Sequence, residues 1–157
     1  MTGQSVDAGT VGVDALKSAV AVRPYLAGLG IEITAARPDR VSVRLGYAAS
    51  PCNDPAHGGC DRGLVLMLGD AAGWLAVTGG LAGGLAGDAS ANAARVSTLE
   101  HKVDLVASSF NPTALEASGV VIRRGRSLTT VRIDVVALAA DGRRETVGLF
   151  QGTYAVG

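Results

Sequence analysis

The stretch HGGCDRGLVLMLGDAAGWLAV, His57 to Val77, decides how the rest of the chain is read. From Leu64 to Val77 it is apolar except for one carboxylate, Asp70. The run is too long for a typical buried strand, and its leucines, alanines and Met67 favour a helix. Being apolar on every side, that helix is expected to be wrapped by protein. A lone buried carboxylate costs several kcal/mol or shifts its pKa, so Asp70 reads as a residue placed for a purpose. Ahead of the helix, Gly58, Gly59 and Gly63 let the backbone turn tightly and approach a ligand. A new helix then offers free N–H groups and the positive end of its dipole to an oxygen gaining negative charge. Asp70 stands seven residues after Gly63, about 10 Å along the axis.

The 157 residues suit one domain, with residues 1–12 flexible and 13–157 folded. Hydrophobic residues make up 48% and charged ones 18%, with 14 basic side chains balancing 14 acidic ones. No net field draws the chain to nucleic acid or to an anionic membrane, and neither partner is expected. The N-terminal residues lack a charged start and an apolar stretch, so a cytoplasmic location is expected. Cys52 and Cys60 read as free thiols. Cys52, His57 and Cys60, with Asp54 or Asp61, have metal-like spacing, but no second ligand pair follows and no metal is expected. Leu64 to Gly87 is long and apolar enough for a membrane span. Its glycine-rich second half and the absence of basic anchors favour a core helix and a loop instead.

Asp14 can cap a short helix through Leu16 and Val20, and Pro24 begins a further turn. Ile31–Ala36 and Val41–Tyr47 form a hairpin about Arg37-Pro38-Asp39-Arg40, read as a type I turn. After the central helix and its glycine-rich connection, Arg95 to Val106 alternates, with Leu99, His101, Val103 and Leu105 on one face. His101 there reads as a hydrogen-bonded interior residue. Leu115–Arg123, Ser127–Ala139 and Glu145–Val156 complete four strands, the last two joined at Asp141-Gly142. The order is helix, two strands, one buried helix, four strands: an α+β domain with a curved antiparallel sheet wrapped around a helix.

In this order the motifs resemble a hotdog-fold acyl-CoA thioesterase of the phenylacetate-degradation (PaaI-like) and 4-hydroxybenzoyl-CoA thioesterase type. The likeness covers roughly Leu29 to Val156. It rests on Leu68 to Ala72 behind the glycine turn, Ser97-Thr98-Leu99-Glu100, Arg124-Gly125-Arg126-Ser127 and Gly152-Thr153-Tyr154. The resemblance implies that Asp70 activates water, or attacks directly, at a thioester carbonyl while a backbone N–H holds the oxyanion. No cofactor is required, since coenzyme A belongs to the substrate. The family's histidine lies nine residues before the acid, whereas His57 lies 13 before Asp70 and Asp61 lies nine before. The oxyanion donor is therefore Gly58 or Gly59 on one alignment, and Arg62 or Gly63 on the other.

The resemblance further implies that Asn53 orients the water and that Asp61, Arg62 and Trp74 border the substrate. Trp74 reads first as core, and Arg123, Arg124 and Arg126 either hold coenzyme A phosphates or form a solvated turn. The expected partners are an acyl-CoA or other acyl thioester and further copies of the chain, as a dimer or tetramer with the active site at the dimer interface. The alternative is a hotdog protein that binds acyl thioesters without hydrolysing them.

Overall fold

The computed structural model describes residues 8–46, 60–81, 89–106 and 108–157, with side chains from residue 12 onward. In chain order the elements are α1 (Ala8–Ala21), α2 (Pro24–Gly28), β1 (Glu32–Arg37), β2 (Arg40–Gly46), α3 (Arg62–Gly80), α4 (Ala89–Ala93), β3 (Val96–Leu105), β4 (Ala114–Arg124), β5 (Leu128–Leu138) and β6 (Arg144–Val156). Six strands form one antiparallel sheet in the order β1-β2-β4-β5-β6-β3. Its two ends, β1 and β3, are not joined.

Helix α3 lies on one face of this sheet. Its residues from Leu68 to Gly79 are buried apart from Asp70. Fully buried leucines such as Leu68 and Leu75 each contribute roughly 2–3 kcal/mol by leaving water. The glycines at four-residue spacing have a packing role. A Cβ at Gly69 would run into the Phe150 ring, and one at Gly73 into the Tyr154 hydroxyl. On the sheet side, Gly119 of β4 brings its backbone against the Ala72 carbonyl. The spacing that also suits packing between membrane helices here seats a helix on a sheet. Arg62–Gly80 is the one helix among the described residues long and apolar enough to cross a membrane, yet 72% of its most apolar window is buried inside the protein.

Four local readings are corrected. Helix α1 begins at Ala8, inside the stretch expected to be flexible, and Asp14 lies within it, paired with Lys17 at 2.7 Å. Packing against β1 and α4 supports the helix beyond the cap that the sequence offered. The turn at Pro38-Asp39 is not type I. Asp39 has φ +63°, and proline followed by a positive φ is the type II pattern. The glycine-rich connection ends in a short helix, α4.

The fourth correction concerns β3. Its partners on β6 run Thr98↔Tyr154 and then Glu100↔Thr153, so Leu99 is an extra residue, a β-bulge. The bulge restarts the alternation. Leu99, expected on the core face with His101, is 58% exposed, and Thr98 takes the inward position instead.

Candidate active site

Helix α3 begins at Arg62. Asp61 is its N-cap, with φ −64° and ψ 121°, and its Oδ1 accepts from the Leu64 N–H at 2.9 Å. The Val65 N–H reaches the Asp61 carbonyl, so the N–H groups of Arg62 and Gly63 have no partner among the described residues. Cys60 and Asp61 are not helical. Burial, then the charges of Asp61 and Glu145, push the Cys60 thiol up to about 11, which keeps it protonated and unreactive at neutral pH.

Two turns on, α3 opens a window. Leu66, Met67 and Asp70 lie on one stripe and are its partly exposed residues beyond the first turn, until Gly80 at the far end. The Asp70 side chain is 33% exposed, not sealed in as its apolar neighbours suggested. Its Oδ1 accepts from the Thr98 hydroxyl at 2.7 Å and lies 3.3 Å from the Tyr154 hydroxyl. His101 Nε2 stands 2.9 Å from the Tyr154 oxygen and 3.5 Å from Asp70 Oδ1. Oδ2 makes no hydrogen bond among the described residues. One oxygen is anchored by neutral donors, and the other is left for a ligand or water.

Each partner has a structural reason to be there. The bulge at Leu99 turns both Thr98 and His101 toward the helix. Gly73 makes room for the Tyr154 hydroxyl, and Gly152 makes room for the imidazole, which a Cβ there would crowd to 2.7 Å. Phe150 and Tyr154 meet the imidazole edge-on, with centroids 5.7 Å and 5.6 Å away. Burial lowers the His101 pKa below its ordinary 6.5, with Asp70 pulling the other way, so the imidazole is neutral at pH 7. Burial, the Asp70 charge and the hydrogen bond to Asp70 raise Tyr154, which stays a phenol. A carboxylate with neutral hydroxyl donors on one oxygen, and a second oxygen unpaired among the described residues, is equipped to take a proton or to attack an electrophile.

No protein-family model matches the chain, and no curated protein does. Solved structures do. A thioesterase family protein from Silicibacter pomeroyi superposes with a TM-score of 0.73 at 22% identity, over 92% of this chain and 98% of that one. The chain has the same hotdog fold. The PaaI protein of the Escherichia coli phenylacetic acid degradation operon gives a TM-score of 0.67 at 20% identity, over 93% and 95%. A Haemophilus influenzae thioesterase gives 0.62 at 18%, over 84% and 81%.

Within this hotdog fold the residues singled out from sequence fall into three groups. Asn53, His57, Gly58 and Gly59 lie outside the described residues, as does Cys52. Asp61, Arg62 and Gly63 sit together at the start of α3, and Asp70 sits two turns along the same helix. Trp74 and Arg124 have structural partners. Trp74 is 3% exposed, donates from Nε1 to the Val96 carbonyl at 3.2 Å, and lies under the Arg23 guanidinium at 4.3 Å. Arg124 donates to Asp39 and reaches the Val77 carbonyl at 3.4 Å, where a cation suits the C-terminal end of a helix. Arg126 and Arg123 are exposed.

Thr98 and Tyr154 were quoted in motifs but given no role. The bulge that brings Thr98 inward has no mark in an otherwise regular alternation. For Tyr154 a signal existed: glycines at 69 and 73 on the helix and at 148 and 152 on β6 bracket space for two aromatic rings. The outer face of the sheet carries a separate groove of about 390 Å³, lined by Arg132, Leu149 and Gln151 among others, and no Asp70 partner lines it.

Proposed function

We propose that the chain is an acyl-CoA thioesterase, or hydrolyses another acyl thioester, with Asp70 as base or nucleophile. The observation that carries this reading is the Asp70 carboxylate, fixed through Oδ1 by Thr98 and Tyr154 with Oδ2 unengaged, in the one window along the middle of a buried helix. Oδ2 takes a proton from water as the water adds to the thioester carbonyl, or itself adds to that carbon. The carbonyl oxygen becomes the oxyanion, the tetrahedral species collapses, and the C–S bond breaks to release thiolate; where Asp70 itself attacks, water then cleaves the resulting mixed anhydride to the acid and restores the carboxylate. No metal or cofactor takes part in this scheme.

The N–H groups of Arg62 and Gly63, unpaired among the described residues, are the oxyanion donors this reading favours. Arg62 precedes Asp70 by eight residues, so the two lie about 12 Å apart along the axis. Base, water, carbonyl carbon and oxyanion donor must each be within about 3 Å of the next, a span too short and too bent to run straight along the helix. Donor and base therefore come from different copies, and the site forms at a dimer interface. β3 suits that interface, because among the described residues it pairs only with β6 and its other edge has no neighbouring strand. Leu66, Leu99 and Leu105 add exposed apolar surface on α3 and β3. A dimer, or a tetramer built from it, is the assembly proposed.

Thiol release from a panel of short, long and aromatic acyl-CoAs, measured for wild type and Asp70→Asn, tests the reading. Turnover is expected in wild type and a fall of about 100-fold or more in the folded variant. Saturable acyl-CoA binding with no turnover on any substrate would replace hydrolysis with binding alone.

A further inference from the structure

The Tyr154 hydroxyl has one proton and three acceptors in reach: His101 Nε2 at 2.9 Å, Asp70 Oδ1 at 3.3 Å and the Asp70 carbonyl at 3.3 Å. If the proton went to His101, the imidazole would carry its own hydrogen on Nδ1. The Tyr154 oxygen and Asp70 Oδ1 would then face each other lone pair to lone pair beside a negative charge. If instead His101 carries its hydrogen on Nε2, it donates to the Tyr154 oxygen and Tyr154 donates to Asp70. The Nε2–H, the phenol O–H and Asp70 Oδ1 are then all paired, and no two lone pairs face each other. The carboxylate thus selects the tautomer, and the tautomer aims the phenol.

We infer that His101 is a positioning residue for Asp70, acting through Tyr154: its Nε2–H turns the phenol proton onto the Asp70 carboxylate and leaves Oδ2 as the oxygen that meets substrate. The role rests on the hydrolytic reading above but is separable from it, because the tautomer exists without substrate. The packing is built to hold this arrangement. Gly152 and the edges of Phe150 and Tyr154 fix the ring, and the imidazole side chain is only 13% exposed. The titratable groups that face it are Asp70 from α3 and Tyr154 from β6, with Tyr25 of α2 acting on Tyr154 electrostatically. A neutral imidazole supplies the donor without placing a second charge beside the base.

Nitrogen NMR of the full-length wild type at pH 7.5 reads the tautomer directly. Hydrogen on Nε2 of His101 is expected, and hydrogen on Nδ1 would overturn the inference whatever the activity. With a thioester that wild type hydrolyses, His101→Leu is expected to lower kcat roughly tenfold with little change in KM, the scale of one lost hydrogen bond. His101→Gln, whose amide can reach the Nε2 position, is expected to recover most of it. Equal rates for wild type and both variants would also overturn the role. Absence of turnover by wild type that has the Nε2 hydrogen would count against hydrolysis and leave the tautomer standing.

Discussion

Two carboxylates lie against α3, one at each half of the helix, and the protein treats them oppositely. Asp70 is held by hydroxyl groups that carry no charge, with one oxygen left over. Asp39, from the β1–β2 turn, is paired with the Arg124 guanidinium, which also reaches the Val77 carbonyl near the helix end. Neutral donors fix a carboxylate without quenching it, whereas a guanidinium cancels its charge and ties turn, strand and helix together. A glycine marks each place. A side chain at Gly73 would collide with Tyr154, and one at Gly80 with Asp39 and Arg124. One half of the helix carries a carboxylate that keeps its charge, and on the proposed reading that is the half that does chemistry; the other half serves cohesion.

Paired substitutions sharpen that contrast most. Asp70→Asn is expected to cost at least about two orders of magnitude in kcat/KM while the urea midpoint moves little, since asparagine still accepts from Thr98. Arg124→Ala should do the reverse: about 1 kcal/mol of stability lost with a half-exposed ion pair and the reach to the Val77 carbonyl, and kcat within about twofold. Equilibrium unfolding and initial rates on the same samples check both. A large rate loss in Arg124→Ala would dissolve the distinction between the two halves.

The glycines give a finer test. Gly73→Ala gains helix propensity but drives Tyr154 off Asp70, so a rate loss of about tenfold or more is expected with roughly 1–3 kcal/mol of destabilisation. Gly80→Ala should destabilise through the Asp39–Arg124 pair and leave the rate nearly intact. Measured side by side, the two alanines report which half of the helix the chemistry uses.

Local signals made most of the fold legible. Alternation and turn residues located all six strands to within a few residues, because a strand facing a core on one side writes its own pattern. The buried helix followed from its apolar run. The candidate site was legible only where one element holds it: Asp70 and the helix start share a single stretch. Its partners come from pairing between distant strands, Thr98 against Tyr154, and no local pattern encodes that register. Arg124 was read toward phosphate for the same reason, since Asp39 is 85 residues away in sequence. The short Ala89–Ala93 helix, made of alanine, serine and asparagine, has too few apolar residues to show a period.

Acid should separate the halves as well, with a smaller effect. His101 titrates below 6.5 in the folded protein because it is buried, so the unfolded chain binds that proton more readily. Its contribution to stability is therefore complete above pH 6.5 and is lost as the pH falls through the lower folded value. Urea midpoints for wild type are expected to drop between pH 7.5 and 5.5 by more than those of His101→Gln, which has no proton to take up there. Glu145, held low by its hydrogen bonds to Ser109, contributes in the same direction only as the pH passes below 4.5. Parallel curves for wild type and His101→Gln would mean that the imidazole is not the group that titrates.

The smallest effect concerns the arginines of the β4–β5 turn. Arg124 is committed to Asp39, so any grip on a coenzyme A phosphate falls to exposed Arg123 and Arg126. A single exposed arginine on a solvated phosphate contributes at most about 1 kcal/mol. Arg126→Ala should accordingly raise KM for an acyl-CoA by no more than about fivefold, leave kcat alone, and leave KM unchanged for a thioester of the same acyl group on a short uncharged thiol. The uncharged thiol makes the comparison decisive, because it removes the phosphates and keeps the reacting bond. An equal rise in KM for both substrates would place Arg126 on the acyl side or in the packing of the turn, and would leave the half of α3 that ends at Gly80 with no part in binding.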